Sequence, residues 1–270
     1  MKNLKNCGRV FYGLGIAGIG FMHFLYPGFR PIIIPLPPAD TQNIAVLILV
    51  FGGYLVASGL LISFGKFVQP ISVALGYILL LFLIFGHLPN RLRYHPEIHG
   101  YWIDAVKLLA LSGGAFVISL AFPDEAVFKP FKKSTRIAVA GKYLFAIMLV
   151  NFGIGHLLNP VLVGQLVPAW IPFPVFWAYF TGLALVGAGL SIFFKYQTKY
   201  IGLLLASMLL TWLLSLHIPL AVKFPAWRDG ENIIGSLECL AFCGIAITIA
   251  LSNEIGRNKN LQGDGPDKKH

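Results

Sequence analysis

Four of the seven histidines stand in two settings that each occur twice. Gly20-Phe21-Met22-His23-Phe24-Leu25-Tyr26-Pro27 recurs as Gly153-Ile154-Gly155-His156-Leu157-Leu158-Asn159-Pro160. Phe85-Gly86-His87-Leu88-Pro89 recurs as Ser215-Leu216-His217-Ile218-Pro219. A neutral imidazole donates a hydrogen bond to a carbonyl and exchanges its proton near neutral pH, which suits a quinone ligand. A pair of imidazoles also suits haem iron or another metal when an outer partner orients each ring. No cysteine or carboxylate completes a metal motif beside these histidines, so no metal site is assigned. Passage of an ion or small solute, or plain capping of helix ends, are the other chemistries open to His23, His87, His156 and His217.

A third echo carries charge. Asp104-Ala105-Val106-Lys107-Leu108-Leu109-Ala110-Leu111-Ser112-Gly113 aligns with Gly235-Ser236-Leu237-Glu238-Cys239-Leu240-Ala241-Phe242-Cys243-Gly244. Lys107 and Glu238 take the same place with opposite sign in two apolar stretches. An unpaired charge there costs a few kcal/mol or more, so the two are expected to meet if the halves pack about a twofold axis. Asp104, three residues before Lys107 on one helical face, is an equally good local partner. A structural ion pair, a lysine reaching for the surface and a proton- or substrate-linked pair are all consistent with this pattern. Cys239 and Cys243 share a helix face as packing residues, since i, i+4 geometry disfavours a disulfide. Asn151, midway along another apolar stretch, reads as a hydrogen-bonding contact between helices. Arg91, Arg93, His95 and His99 cluster in a loop that reads either as solvated or as a contact for an anion.

The elements that must position these groups are long and apolar. Hydrophobic residues make up 57% and charged residues 12%, against about 25% charged in soluble domains. Eight stretches have the roughly 20 apolar residues needed to cross a bilayer: 10–27, 43–64, 68–88, 102–121, 141–158, 174–194, 200–219 and 232–252. With no water to bond the backbone, these must be helices. The net charge of +10 does not imply nucleic acid. With both termini placed in the cytoplasm, fifteen of the 21 Lys and Arg residues fall inside and five outside, with Lys107 within a span. That is the positive-inside pattern, and it gives an integral protein of the cytoplasmic membrane whose partner is the lipid bilayer. The start Met1-Lys2-Asn3-Leu4-Lys5 imitates a signal peptide, but the run has a counterpart at 141–158 and reads as a retained helix.

The expected fold is all-α, with eight transmembrane helices in two parallel four-helix repeats, as in some transporters. Residues 1–127 form the first repeat, 128–139 a basic cytoplasmic linker, 140–252 the second repeat and 253–270 a disordered cytoplasmic tail. A proline-rich loop follows the first helix of each repeat, with Pro27, Pro31, Pro35, Pro37 and Pro38 in one and Pro160, Pro168, Pro172 and Pro174 in the other. Both loops are expected at the outer boundary, partly dipping in. Each repeat would then gather its two histidines at that boundary.

Arg9 opening the first helix, Gly13, Gly15, Gly18 and Gly20 along it, Gly52, Gly53 and Gly59 in the second, and His87-Leu88-Pro89-Asn90 closing the third resemble the DoxX family of small membrane proteins. The likeness covers about 9–121 and, more weakly, 140–252. A typical member holds one four-helix unit, so this chain would fuse two. The resemblance implies association with membrane redox assemblies and quinone-linked electron transfer, with a membrane or exported redox protein as partner and quinone or haem as candidate cofactor. The chain departs from the family where Val50-Phe51-Gly52-Gly53-Tyr54-Leu55 lacks an early acidic residue and where His23 replaces a glycine. A non-enzymatic transporter, scaffold or assembly factor is the alternative.

Overall fold

The computed structural model describes residues 1–26, 28–35, 44–94, 96–124 and 131–262, the side chains of 131–137 and 253–262 excepted. Pro27, Pro37, Pro38, His95 and residues 128–130 of the expected linker lie outside the described residues. The described chain is helical with no strand. Eight helices are long and apolar enough to cross a membrane. They are α1 (Lys2–Leu25), α2 (Ala45–Phe64), α3 (Val68–Arg93), α4 (His99–Ala121), α5 (Ala138–Leu158), α6 (Pro174–Phe194), α7 (Thr198–Lys223) and α8 (Glu231–Ser252). All eight fall on the stretches read from the sequence. Helical backbone extends beyond two of them. α5 continues a helix that starts at Phe131, inside the expected linker, and α8 runs on to Gln262, inside the expected tail.

Helices pair across the halves as much as within them. α1 lies against α2 and α8, α5 lies against α4 and α6, and α3 packs on α4 as α7 packs on α8. α4 and α8 touch at the centre. Small residues make these approaches possible, because helix backbones in contact leave no room for larger side chains. A Cβ on Gly20 would come 2.7 Å from Gly52 O, and one on Gly153 would come 2.6 Å from Gly182 O. Across the halves, a Cβ on Gly15 would meet Leu237 O at 2.6 Å. Gly20 and Gly15 are therefore points where α1 closes on α2 and on α8.

α3 and α7 share a departure that the sequence reading places too early. Each was expected to stop near its histidine, at 88 and 219. Each instead passes through one wide π turn, Leu83–His87 or Leu213–His217, and continues as α-helix to Arg93 or Lys223. The cause is a proline two residues after each histidine. Pro89 and Pro219 have no N–H to give the carbonyl four residues back and would clash with it in a regular helix. The wide turn absorbs that fault, with Leu88 N–H reaching Leu83 O and Ile218 N–H reaching Leu213 O. Such turns gather at functional sites, and here each sets a histidine at its last residue.

Candidate functional site

The end of the molecule that carries the four histidines has two different interiors. In the first half, residues 28–35 fold back between the helix ends. Phe29, Arg30, Ile32 and Ile33 are all buried. Phe29 meets the His23 ring edge-on at 6.0 Å between centroids and also packs on Phe51 and Phe82. His23 Nδ1–H donates to Ile19 O at 2.9 Å, one turn back on its own helix. His87 Nε2–H donates to Ile32 O at 3.0 Å. Each ring has a second nitrogen that is buried without a partner, Nε2 of His23 and Nδ1 of His87. The space these two histidines were expected to offer a ligand is occupied by the chain's own loop.

Arg30 anchors that loop to the second half. Its guanidinium donates to Asp229 O at 2.8 Å and to Tyr26 O and Gly28 O at 3.2 Å each, while lying over the Tyr26 ring. Burial moves its pKa below the ordinary guanidinium value, against the opposing pull of Asp229 and Glu231. Guanidinium remains the charged form throughout the working range of a protein.

In the second half the corresponding place is a cavity of about 340 Å³. Volumes of this order suit a small ligand. α5 brings His156 to the wall, α6 brings Trp177 and Thr181, α7 brings Trp212 and His217, and α8 brings Glu238 and Cys239. Lys107 of α4 crosses from the other half to complete it. His156 Nδ1–H donates to Phe152 O at 2.8 Å, the same bond that His23 makes. Its Nε2 therefore holds a lone pair and can only accept while the ring is neutral. His217, at the end of the wide turn, makes no hydrogen bond among the described residues. It rests on Gly235, where an added Cβ would stand 3.5 Å from Nδ1.

The charged group lies at the base of this wall. Lys107 Nζ is 2.9 Å from Glu238 Oε2 and 3.4 Å from Asp104 Oδ1. The Glu238 side chain is only 4% exposed, and its Oε1 has no donor. A buried charge without its partner is strongly unfavourable, so the lysine and the glutamate hold each other in place. The remaining candidates are scattered. Cys239 and Cys243 direct their thiols at Leu209 O and Ala206 O and so bind α8 to α7. Asn151 Oδ1 is buried without a partner, so the expected interhelical bond through that oxygen is not formed. His99 sits against α5 beside Gly155, away from the partly exposed loop it was grouped with, and Arg91 is buried. Among the described residues no group of three or more His, Cys, Asp or Glu side chains is placed to hold a metal ion.

Residues 145–247 match a family described as a domain of unknown function, DUF8561. Neither a curated protein nor a solved structure matches the chain. The DUF8561 match takes in most of α5, all of α6 and α7 and most of α8. Of the residues lining the cavity, only Ile103 and Lys107 fall outside it.

The sequence reading did not single out Trp212 or Thr181 on this wall, and it quoted Pro89 and Pro219 in the repeated motif without drawing the wide turns from them. A proline just past one apolar stretch and at the end of the other was the available signal, since a helix that continues through it must accommodate it.

Proposed function

We propose that the chain is an integral membrane protein of two parallel four-helix repeats, with both termini cytoplasmic. We further propose that its second repeat binds a lipophilic ring compound bearing a carbonyl group, of the quinone class. Eight apolar helices of spanning length support the membrane reading. Recurrence of the same glycine contacts, the same wide turns and the same histidine-to-carbonyl bond supports the repeat.

The observation that carries the ligand reading is the contrast between His87 and His217. His87 Nε2–H already has a carbonyl, Ile32 O, presented by an apolar segment. His217 makes no hydrogen bond among the described residues and lines a cavity whose wall is mostly apolar. The first half thus displays the kind of occupant the second half lacks: an apolar body with a carbonyl oxygen at the histidine. A quinone ring meets that description. His217 would hold one carbonyl, the Trp177 and Trp212 rings, which meet edge-on at 6.5 Å between centroids, would together form one side of the pocket, and the apolar walls would exclude water. The quinone would supply two-electron, two-proton chemistry when bound. The redox setting and a membrane or exported redox partner come from the DoxX resemblance. The cavity supplies only the size and polarity of the ligand.

The test uses the tryptophans on the wall. Detergent-extracted protein titrated with a short-chain benzoquinone should show saturable quenching of tryptophan fluorescence. Ala178→Phe, which fills the cavity from α6, should abolish saturation. Quenching that rises linearly with added quinone, in wild type as in the variant, would sink the reading. The Lys107–Glu238 pair on the wall, with Asp104 beside Lys107, supports solute passage as a second reading, because ionisable side chains inside a membrane often mark such paths. Liposome flux lost in Lys107→Ala, with no quinone binding, would favour it.

A further inference from the structure

A second cavity, of about 620 Å³, opens at the opposite end of the molecule, where α1 begins and α4 ends. Lys2, Lys5 and Arg9 stand on its wall. Lys5 Nζ donates to Ala121 O at 2.6 Å, at the end of α4. Arg9 donates to Ile62 O and to Ser63 O, at the end of α2. Both lie over the Phe122 ring, at 4.8 Å and 5.4 Å from its centroid. Carbonyls at helix ends and an aromatic face attract cations, but they bring no net negative charge.

Among the described residues the wall has one carboxylate, Asp124, and its Oδ2 accepts from Gln69 N at 3.0 Å. Among the described residues Lys2, Lys5 and Arg9 form no ion pair. Three cations therefore share a concave site with a single described acid, which is hydrogen-bonded elsewhere. Such a site calls for an anion. In the alignment that pairs His23 with His156, the places of Lys2, Lys5 and Arg9 are taken by Thr135, Ala138 and Lys142, so only one of the three cations has a basic counterpart.

We propose that this cavity binds the phosphate of an anionic phospholipid. The rim argues for a lipid over a free ion. Leu4, Phe64 and Phe67, each a chain neighbour of a rim residue or one step from it, are exposed by 43%, 74% and 69%. A phosphate diester between Lys2, Lys5 and Arg9 would lay its acyl chains over those side chains. Basic pockets between helices at the cytoplasmic boundary recognise such headgroups. The inference rests on the membrane reading above and is independent of any quinone.

Native mass spectrometry of the full chain in detergent tests it, with phosphatidylglycerol and phosphatidylcholine offered at equal concentration. Phosphatidylglycerol should bind with a preference that falls about fivefold for each lysine removed, in Lys2→Gln and in Lys2→Gln/Lys5→Gln. Lys195→Gln, at the same end but outside the cavity, should leave the preference unchanged. The Lys2 side chain makes no hydrogen bond or ion pair among the described residues, so its variant is expected to retain the fold and keeps the test decisive even where Lys5→Gln does not. Equal binding of the two lipids would overturn the proposal. So would stabilisation by inorganic phosphate alone that matches phosphatidylglycerol, because the site would then serve a soluble anion. Failure to co-sediment with membranes before extraction would instead remove the membrane reading itself.

Discussion

The half of the molecule bearing His23 and His87 and the half bearing His156 and His217 are built from similar parts and finished differently. Both have a helix closing with a histidine bonded to the carbonyl one turn back. Both have a wide turn placing a second histidine. The connecting loop differs. Gly52 meets His23 Cβ and Gly182 meets His156 Cβ, so the anchors correspond, yet the intervening chain is three residues longer in the first half. The longer loop turns inward and buries Phe29, Ile32 and Ile33. The shorter one forms a turn of helix at Pro160–Gly164 and borders the cavity without filling it, with Val163, Leu166 and Val167 on the wall and Leu162 and Trp170 exposed. One length of chain fills a site and the other leaves it open. In the repeat proposed above, loop length is what separates a filled half from one that keeps a cavity.

The largest effect is expected where the two halves share a part. Lys107 leaves the first half to reach Glu238 in the second. Lys107→Ala would leave a buried carboxylate alone and should cost about 3–5 kcal/mol, read as loss of thermal stability in detergent. Lys107→Met with Glu238→Leu should recover most of it, because well-packed apolar side chains can replace a buried pair. A single variant as stable as wild type would show that the pair does not join the halves.

The contrast between filled and open loops is sharper still at Phe29. This ring is 5% exposed and touches His23, Phe51 and Phe82. Phe29→Ala should cost about 3 kcal/mol or more, because it removes a buried ring and leaves a cavity. At the corresponding distance after His156 stands Leu162, which is 65% exposed. Leu162→Ala should change stability by less than about 0.5 kcal/mol. Similar losses in the two variants, measured by thermal unfolding, would mean that the second loop packs inward as the first does.

How far these features were legible follows from their physical range. The helices were legible because bilayer-length apolar runs admit one backbone solution. Lys107, Asp104 and Glu238 were legible as a group from the register of the repeat and the cost of isolated charge. The pairing of α1 with α8 and of α4 with α5 was not, since small residues mark a close approach without naming the helix that makes it. Nor was the difference between His87 and His217. Their local sequences are nearly alike, and the partner of one comes from 55 residues away along the chain. A three-residue change in loop length alters which carbonyl arrives there, and no pattern local to the histidine records it.

That pair gives the smallest and most selective prediction. His87→Leu removes the only donor that reaches Ile32 O from α3 and leaves a carbonyl in a buried segment. Loss of such a partner costs about 1–3 kcal/mol. His217→Leu removes no hydrogen bond and keeps an apolar wall, so its effect on stability should be within about 0.5 kcal/mol. The effects on ligand should run the other way. His217→Leu should weaken saturable quinone quenching about tenfold, near the value of one hydrogen bond in a dry site, 1.4 kcal/mol being a factor of ten. His87→Leu should leave the quenching constant unchanged at any temperature where the protein stays folded. Thermal unfolding and the fluorescence titration, run on both variants, give four numbers from one pair of proteins. Equal stability losses would show that His217 has a partner of its own. Equal losses of quenching would show that the filled and the open halves act as one site.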